Sequence, residues 1–151
     1  MVSFQNFLRS MINERARMKA YSFFSLILMV VFLAVGVIFF LIPAKVLIFF
    51  NSLSGFFGLP LIPVHEPGFY LVLAVSYMYL VAVIAYCMHR HPEAPIFPFL
   101  LAHGKIASSI LSLGLALLFE PYLIFWVNCL ADGVIGFGAY YFYRRLKNKN
   151  S

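Results

Sequence analysis

Apolar residues form four long runs along this chain, and most charged residues lie outside them. The runs cover about residues 21–43, 69–88, 97–119 and 121–143. A helix needs about 20 residues to cross a hydrocarbon core about 30 Å thick, and each run reaches that length. The pattern predicts an all-α protein: one membrane domain, residues 1–151, built as a four-helix bundle of spans.

Composition supports the same class of protein. Hydrophobic residues make up 64% of the chain and charged residues 11%. Soluble domains contain about 45–50% apolar and about 25% charged residues, so a water-soluble globular domain is excluded. The first predicted partner is therefore the lipid bilayer.

The positive charge follows the orientation rule of membrane proteins. The formal net charge is +6, with eleven basic residues. Basic residues that flank spans concentrate on the cytoplasmic side, so we assign the charge to topology and predict no nucleic-acid partner. We expect a multi-pass protein of the cell inner (plasma) membrane with both termini cytoplasmic. The basic residues on the predicted cytoplasmic side are Arg9, Arg15, Arg17, Lys19, Arg90, Arg144, Arg145, Lys147 and Lys149.

The segments outside the spans differ from one another in sequence pattern. Residues 1–20 place apolar side chains at helical spacing among basic ones, which predicts a cytoplasmic amphipathic helix lying on the membrane surface, or one that docks a partner. Residues 44–68 contain short apolar pieces interrupted by glycine and proline, so we expect a short interfacial or re-entrant element on the outer side. Residues 144–151 form a basic cytoplasmic tail.

Two charged residues lie deep inside predicted spans. Lys105 belongs to the third span and Asp132 to the fourth. A charge at that depth costs about 2.5–3.5 kcal/mol on insertion scales, so such residues mark functional or pairing sites. The short Glu120-Pro121 connection makes the two spans antiparallel neighbours, which brings Lys105 within reach of Asp132. The sequence does not decide between a direct contact of Lys105 with Asp132 and a hydrated network through Ser108 and Ser109.

Further polar and small residues extend this feature into a polar intramembrane seam. Counting outward from the Glu120-Pro121 connection places Asp132 level with Ser108, and Asn128 level with Ser112. The small residues let the two helices approach closely. In the second span, Tyr79 is predicted near the level of Lys105, and His103 is predicted to form a wall of the seam. The small-residue stripe of the third span is Gly104, Ser108, Ser112 and Ala116.

The seam allows three interpretations. Lys105 and Asp132 can neutralise each other and hold two helices in register. They can surround the polar head of a lipophilic molecule such as a quinone or a lipid. They can also belong to a proton or ion path, although one acid and one base make a short relay.

A second cluster lies in the loop between the second and third spans. His89, His91 and Glu93 have a His-x-His-x-Glu spacing that is compatible with a weak metal site. The neighbouring prolines do not guarantee the fixed geometry that imidazole ligands need, so an interfacial loop is the preferred interpretation and no metal is predicted.

The chain resembles the DoxX-like group of small four-helix membrane proteins. The resemblance rests on the stretch from Gly36 through Leu41-Ile42-Pro43 at the end of the first span, Pro60 and Pro63 before the second, His103-Gly104-Lys105 in the third, and Asp132 in the fourth. It implies a bundle that works as a membrane subunit, in some relatives linked to quinone-dependent oxidation of sulfur compounds. It assigns no catalytic residue.

Two functions are therefore expected. The first is a non-enzymatic subunit or scaffold of a membrane complex, with another membrane protein or a second copy as partner. The alternative is a protein that binds a lipophilic small molecule, a quinone or a lipid, in redox chemistry or proton-coupled transport. No cofactor is required by the first function, and a quinone is the cofactor compatible with the second.

Overall fold

A computed structural model describes residues 2–64 and 68–149 of the protein, with side chains for residues 11, 15–64 and 68–148. Within these ranges it contains five α-helices and no strand. The helices are α1 (Val2–Leu41), α2 (Pro43–Phe56), α3 (Phe69–Arg90), α4 (Ile96–Leu118) and α5 (Leu123–Lys149).

Four stretches within these helices are long and apolar enough to cross a membrane. They are Arg15–Leu41, Phe69–Arg90, Ile96–Leu118 and Leu123–Asn148. Their lengths of 27, 22, 23 and 26 residues exceed the roughly 20 residues that a span requires. The helices predicted for the four spans are confirmed, and each is long and apolar enough to cross a membrane.

The first helix differs from its prediction. We expected residues 1–20 to form a separate interfacial helix, but α1 continues without a break from Val2 to Leu41. Residues 2–20 contain neither proline nor glycine, so no residue there interrupts helical hydrogen bonding. Most residues of the predicted amphipathic pattern have side chains that lie outside the part of the chain that the structure describes. At about 1.5 Å per residue, the 40-residue helix is about 60 Å long and exceeds the thickness of a hydrocarbon core.

The predicted short element is the helix α2 followed by an irregular segment. Pro43 lies in the first turn of α2, where its missing N–H leaves no hydrogen bond unmade. Gly58 has a φ of 66°, a left-handed conformation that glycine adopts readily. The Asn51 side chain donates to the carbonyl of Ile62 and accepts from its N–H, each at 2.8 Å. These two bonds tie the irregular segment back onto α2.

Helix packing divides the bundle into two pairs. The most extensive packing joins α4 to α5 and α1 to α3, and the contact between α3 and α4 connects the pairs. Small residues allow the close approach within a pair: a Cβ atom added at Gly136 would lie 2.8 Å from Ile106 Cγ1 and 3.1 Å from its backbone nitrogen. The buried apolar core consists of Tyr21, Leu28, Val81, Ala85, Met88, Leu101, Ala102, Ala139 and Leu146.

Candidate functional site

The two buried charges form a direct ion pair between α4 and α5. Lys105 Nζ donates to Asp132 Oδ1 at 2.8 Å. Only 2% of the Lys105 side chain and 4% of the Asp132 side chain are exposed. The direct contact decides between the two arrangements that the sequence left open.

Two aromatic rings from the other helix pair cover the ammonium group. Lys105 Nζ lies 3.9 Å from the ring centroid of Phe32 on α1 and 5.0 Å from that of Tyr77 on α3. A cation within about 6 Å of an aromatic face is stabilised by the ring quadrupole, most strongly where water is excluded. The Tyr77 hydroxyl donates to the carbonyl of Gly104 at 3.1 Å. The ion pair therefore lies where all four long helices meet.

Hydroxyl and amide groups extend the contact between α4 and α5. Asn128 Nδ2 donates to Ser112 Oγ at 2.7 Å and to Ser108 Oγ at 3.3 Å. Ser109 Oγ donates to the carbonyl of Cys129 at 2.7 Å. Successive residues along α4 bond to residues of α5 that occur progressively earlier in the chain, so the two helices are antiparallel. The predicted level of Asn128 with Ser112 is confirmed.

The second carboxylate oxygen of Asp132 takes no part in the hydrogen bond with Lys105. Asp132 Oδ2 is buried and has no hydrogen-bond partner among the described residues. A buried carboxylate oxygen without a donor carries a desolvation cost, which the attraction of Lys105 partly offsets. Oδ2 can accept one additional hydrogen bond.

The predicted position of Tyr79 inside the seam is wrong. Tyr79 is 63% exposed on the outer face of α3, and Tyr77 occupies the place beside the lysine. Ala82 and Ala85 are buried at 4% and 0% exposure, so α3 turns its small residues inward. Because lipid and side chains are similarly apolar, close packing through small residues decides which face of a membrane helix points inward.

His103 also lies outside the seam. Its side chain is exposed, its Nδ1 is 2.9 Å from the carbonyl oxygen of Phe99, and its ring lies 4.1 Å from the ring of Phe99 between centroids. The prediction of a seam wall is therefore wrong for His103. Its actual surroundings are a surface cleft between α4 and α5.

The His-x-His-x-Glu cluster is divided between different environments. His89 Nδ1 lies 3.0 Å from Ser22 Oγ on α1, so this histidine links α3 to α1. The ring of His91 lies 6.1 Å from the ring of Phe97. Across the described part of the chain, no three His, Cys, Asp or Glu side chains come together as a metal site.

Sequence reasoning missed Phe32 and Tyr77, the two rings that cover Lys105. Tyr77 has a detectable signal, because it precedes Val81 and Ala85 at four-residue spacing on the face of α3 that is buried. Phe32 has no comparable signal, since it is one of many large apolar residues in α1.

Comparison with known proteins finds no match among protein-family models, curated proteins or solved structures. The DoxX-like resemblance stays a prediction. The structure thus belongs to the class of helical proteins with four candidate membrane spans, and it contains a buried ion pair between two of them.

Proposed function

We propose that this protein is a non-enzymatic subunit or scaffold of a membrane complex, in which the Lys105–Asp132 pair fixes the arrangement of the helices. The observation that carries this proposal is the almost complete burial of a direct 2.8 Å pair beneath the Phe32 ring. A pair that is neutralised and covered is suited to holding helices in register.

The polar groups beside the pair support a structural role. The hydroxyls of Ser109 and Tyr77 donate to backbone carbonyls of α5 and α4, and Asn128 bonds to Ser112. These groups thus join helices to one another. Interhelical hydrogen bonds of this kind contribute about 0.6 kcal/mol each on average, with a maximum of about 1.7 kcal/mol.

The outer face of α3 supports the presence of a partner. Ser76 and Tyr79 are exposed there, about 10 Å and about 15 Å from the start of the helix at Phe69. Hydroxyl groups at that depth find no hydrogen-bond partner in hydrocarbon, whereas a neighbouring helix can supply one. A second membrane protein, or a second copy of this chain, packed on α3 would satisfy both groups.

Native mass spectrometry of the full chain, extracted in lipid nanodiscs, tests this proposal. We expect a protein partner of discrete mass on the wild type and on the Lys105→Met/Asp132→Asn variant. Ser76→Ala/Tyr79→Phe should lose that partner. Tyr70→Phe is the matched control, because Tyr70 is 84% exposed at the start of α3 and lies outside the proposed face. A partner that survives Ser76→Ala/Tyr79→Phe would exclude this face as the contact surface.

A second function is favoured by a groove between α1 and α3. Its volume is about 300 Å³, at the lower end of the range for small-molecule sites, and Gly36, Val75 and Tyr79 contribute to its lining. Phe32 lines the same groove and covers Lys105 Nζ. This supports binding of a lipophilic molecule, a quinone or a lipid, with its tail in the groove and its polar head directed toward Lys105 by a movement of the Phe32 ring.

The two functions predict different native mass spectra. A small-molecule adduct on the wild type that is absent from the folded Lys105→Met/Asp132→Asn variant would favour the second function. Val37→Trp should fill the groove and remove such an adduct, because Val37 lines it. The neighbouring Ile38→Trp, at a similarly exposed position outside the lining, should keep the adduct.

A further inference from the structure

A cleft with basic and aromatic walls lies between the beginning of α4 and the end of α5. Its volume is about 390 Å³, and its lining includes His103, Tyr140, Tyr143, Arg144 and Lys147. The four α5 residues are spaced so that they share one face of the helix. Neither residue of the intramembrane ion pair belongs to its lining. This cleft is a separate feature from the site described above.

The cleft lies at the depth of lipid headgroups. Leu123 begins α5, and Arg144 follows it by 21 residues, a rise of about 31 Å. That rise matches the thickness of a hydrocarbon core, so Arg144 reaches the membrane boundary and Lys147 lies about one turn beyond it. The tyrosine rings occupy the level at which aromatic residues meet the headgroups.

The chemistry of the walls matches a phosphodiester. A guanidinium group offers paired donors to phosphate oxygens, and an ammonium group offers a point charge. Tyr140 and Tyr143 carry hydroxyl groups on rings whose centroids lie 6.0 Å apart. Phe99 and His103 of α4 form the opposite wall, and the imidazole of His103 adds a hydrogen-bonding group.

We propose that this cleft binds the phosphate of an anionic glycerophospholipid from the adjoining leaflet, with Arg144 and Lys147 contacting the phosphate and the two tyrosines contacting the headgroup. Basic pockets between spans at the membrane surface recognise lipid headgroups in this way. The apolar walls of α4 and α5 below the cleft provide the surface for the acyl chains.

Titration of the purified full chain in neutral detergent with dioleoylphosphatidylglycerol, followed by native mass spectrometry, measures this binding. We expect Arg144→Gln/Lys147→Gln to weaken binding at least about tenfold, since both charge-assisted contacts with the phosphate are removed. The matched control is Arg90→Gln/Arg145→Gln, which removes the same charge from the same end of the bundle outside the cleft. It should stay within about twofold of the wild type, because neither arginine lines the cleft.

A second variant keeps the charge and the ring packing. Tyr140→Phe/Tyr143→Phe removes two hydroxyl groups and should weaken binding about tenfold, or about threefold for each hydrogen bond that is lost. Equal losses in the cleft variant and its charge-matched control would overturn the proposal, because they would assign the attraction to the general surface charge. Displacement of the lipid by inorganic phosphate at millimolar concentration would also overturn it, since the ligand would then be a soluble anion.

Discussion

Replacing Gly136 by alanine tests the close packing that brings Lys105 and Asp132 together. The added Cβ would lie 2.8 Å from Ile106 Cγ1, 3.1 Å from the Ile106 nitrogen and 3.4 Å from the Ala102 carbonyl oxygen. Carbon atoms pack at about 3.5–4.0 Å, so the side-chain contact is about 0.7–1.2 Å too short. Two of the three neighbours are backbone atoms of α4, which cannot turn away as a side chain can.

The helices must therefore separate or rotate. Overpacking of this kind costs about 1–3 kcal/mol, and the higher helix propensity of alanine returns about 1 kcal/mol. We expect the free energy of unfolding to fall by up to about 2 kcal/mol. Lys105 adjoins Ile106, and Asp132 lies one turn from Gly136, so the 2.8 Å ion-pair contact should also lengthen.

The assay is unfolding by sodium dodecyl sulfate in mixed micelles, followed by circular dichroism and tryptophan fluorescence. Gly114→Ala in α4 is the matched control, because its added Cβ would meet no other described helix within 4 Å. That variant should be unchanged or more stable by up to about 1 kcal/mol. If Gly136→Ala were as stable as Gly114→Ala, the close approach of α4 and α5 at this point would be refuted.

Three further predictions concern polar contacts. Asp132→Asn should lower the free energy of unfolding by about 3–5 kcal/mol because it leaves the Lys105 charge buried and unpaired, while Lys105→Met/Asp132→Asn should cost much less; equal costs in a double-mutant cycle would contradict this. Asn128→Leu should cost only about 0.6–1.7 kcal/mol in the same titration, since it removes neutral hydrogen bonds between spans; a loss as large as that of Asp132→Asn would be inconsistent. Asn51→Ala should accelerate limited proteolysis in residues 57–64, because both bonds to Ile62 are lost, whereas Ser52→Ala, whose hydroxyl bonds within its own helix, should not.

The contacts between α4 and α5 were largely predictable. A connection of a few residues forces two helices to lie side by side, and a constant rise per residue then fixes which positions face one another in depth. Asn128 beside Ser112 and Lys105 within reach of Asp132 both follow from this counting. The sequence did not predict the direct contact, because the preferred side-chain directions on the two helices point Lys105 and Asp132 toward opposite sides of the membrane.

The rotation of α3 was not predictable in the same way. Tyr77 and Tyr79 are two residues apart, so they lie on nearly opposite sides of a helix with 3.6 residues per turn. Tyr79 was expected to face inward, because a hydroxyl group deep in a span needs a hydrogen-bond acceptor inside the bundle. The structure instead encloses Ala85 completely and leaves Tyr79 exposed.

The number of candidate spans, their approximate limits and the pairing of α4 with α5 can be predicted from the amino-acid sequence alone. These properties depend on the length of apolar runs and on short connections, which are local. Only the tertiary structure decided that α1 continues through residue 20, that Phe32 and Tyr77 cover Lys105, and that His103 lies in a surface cleft. Such features depend on the rotation of each helix about its axis, which packing with the other helices sets.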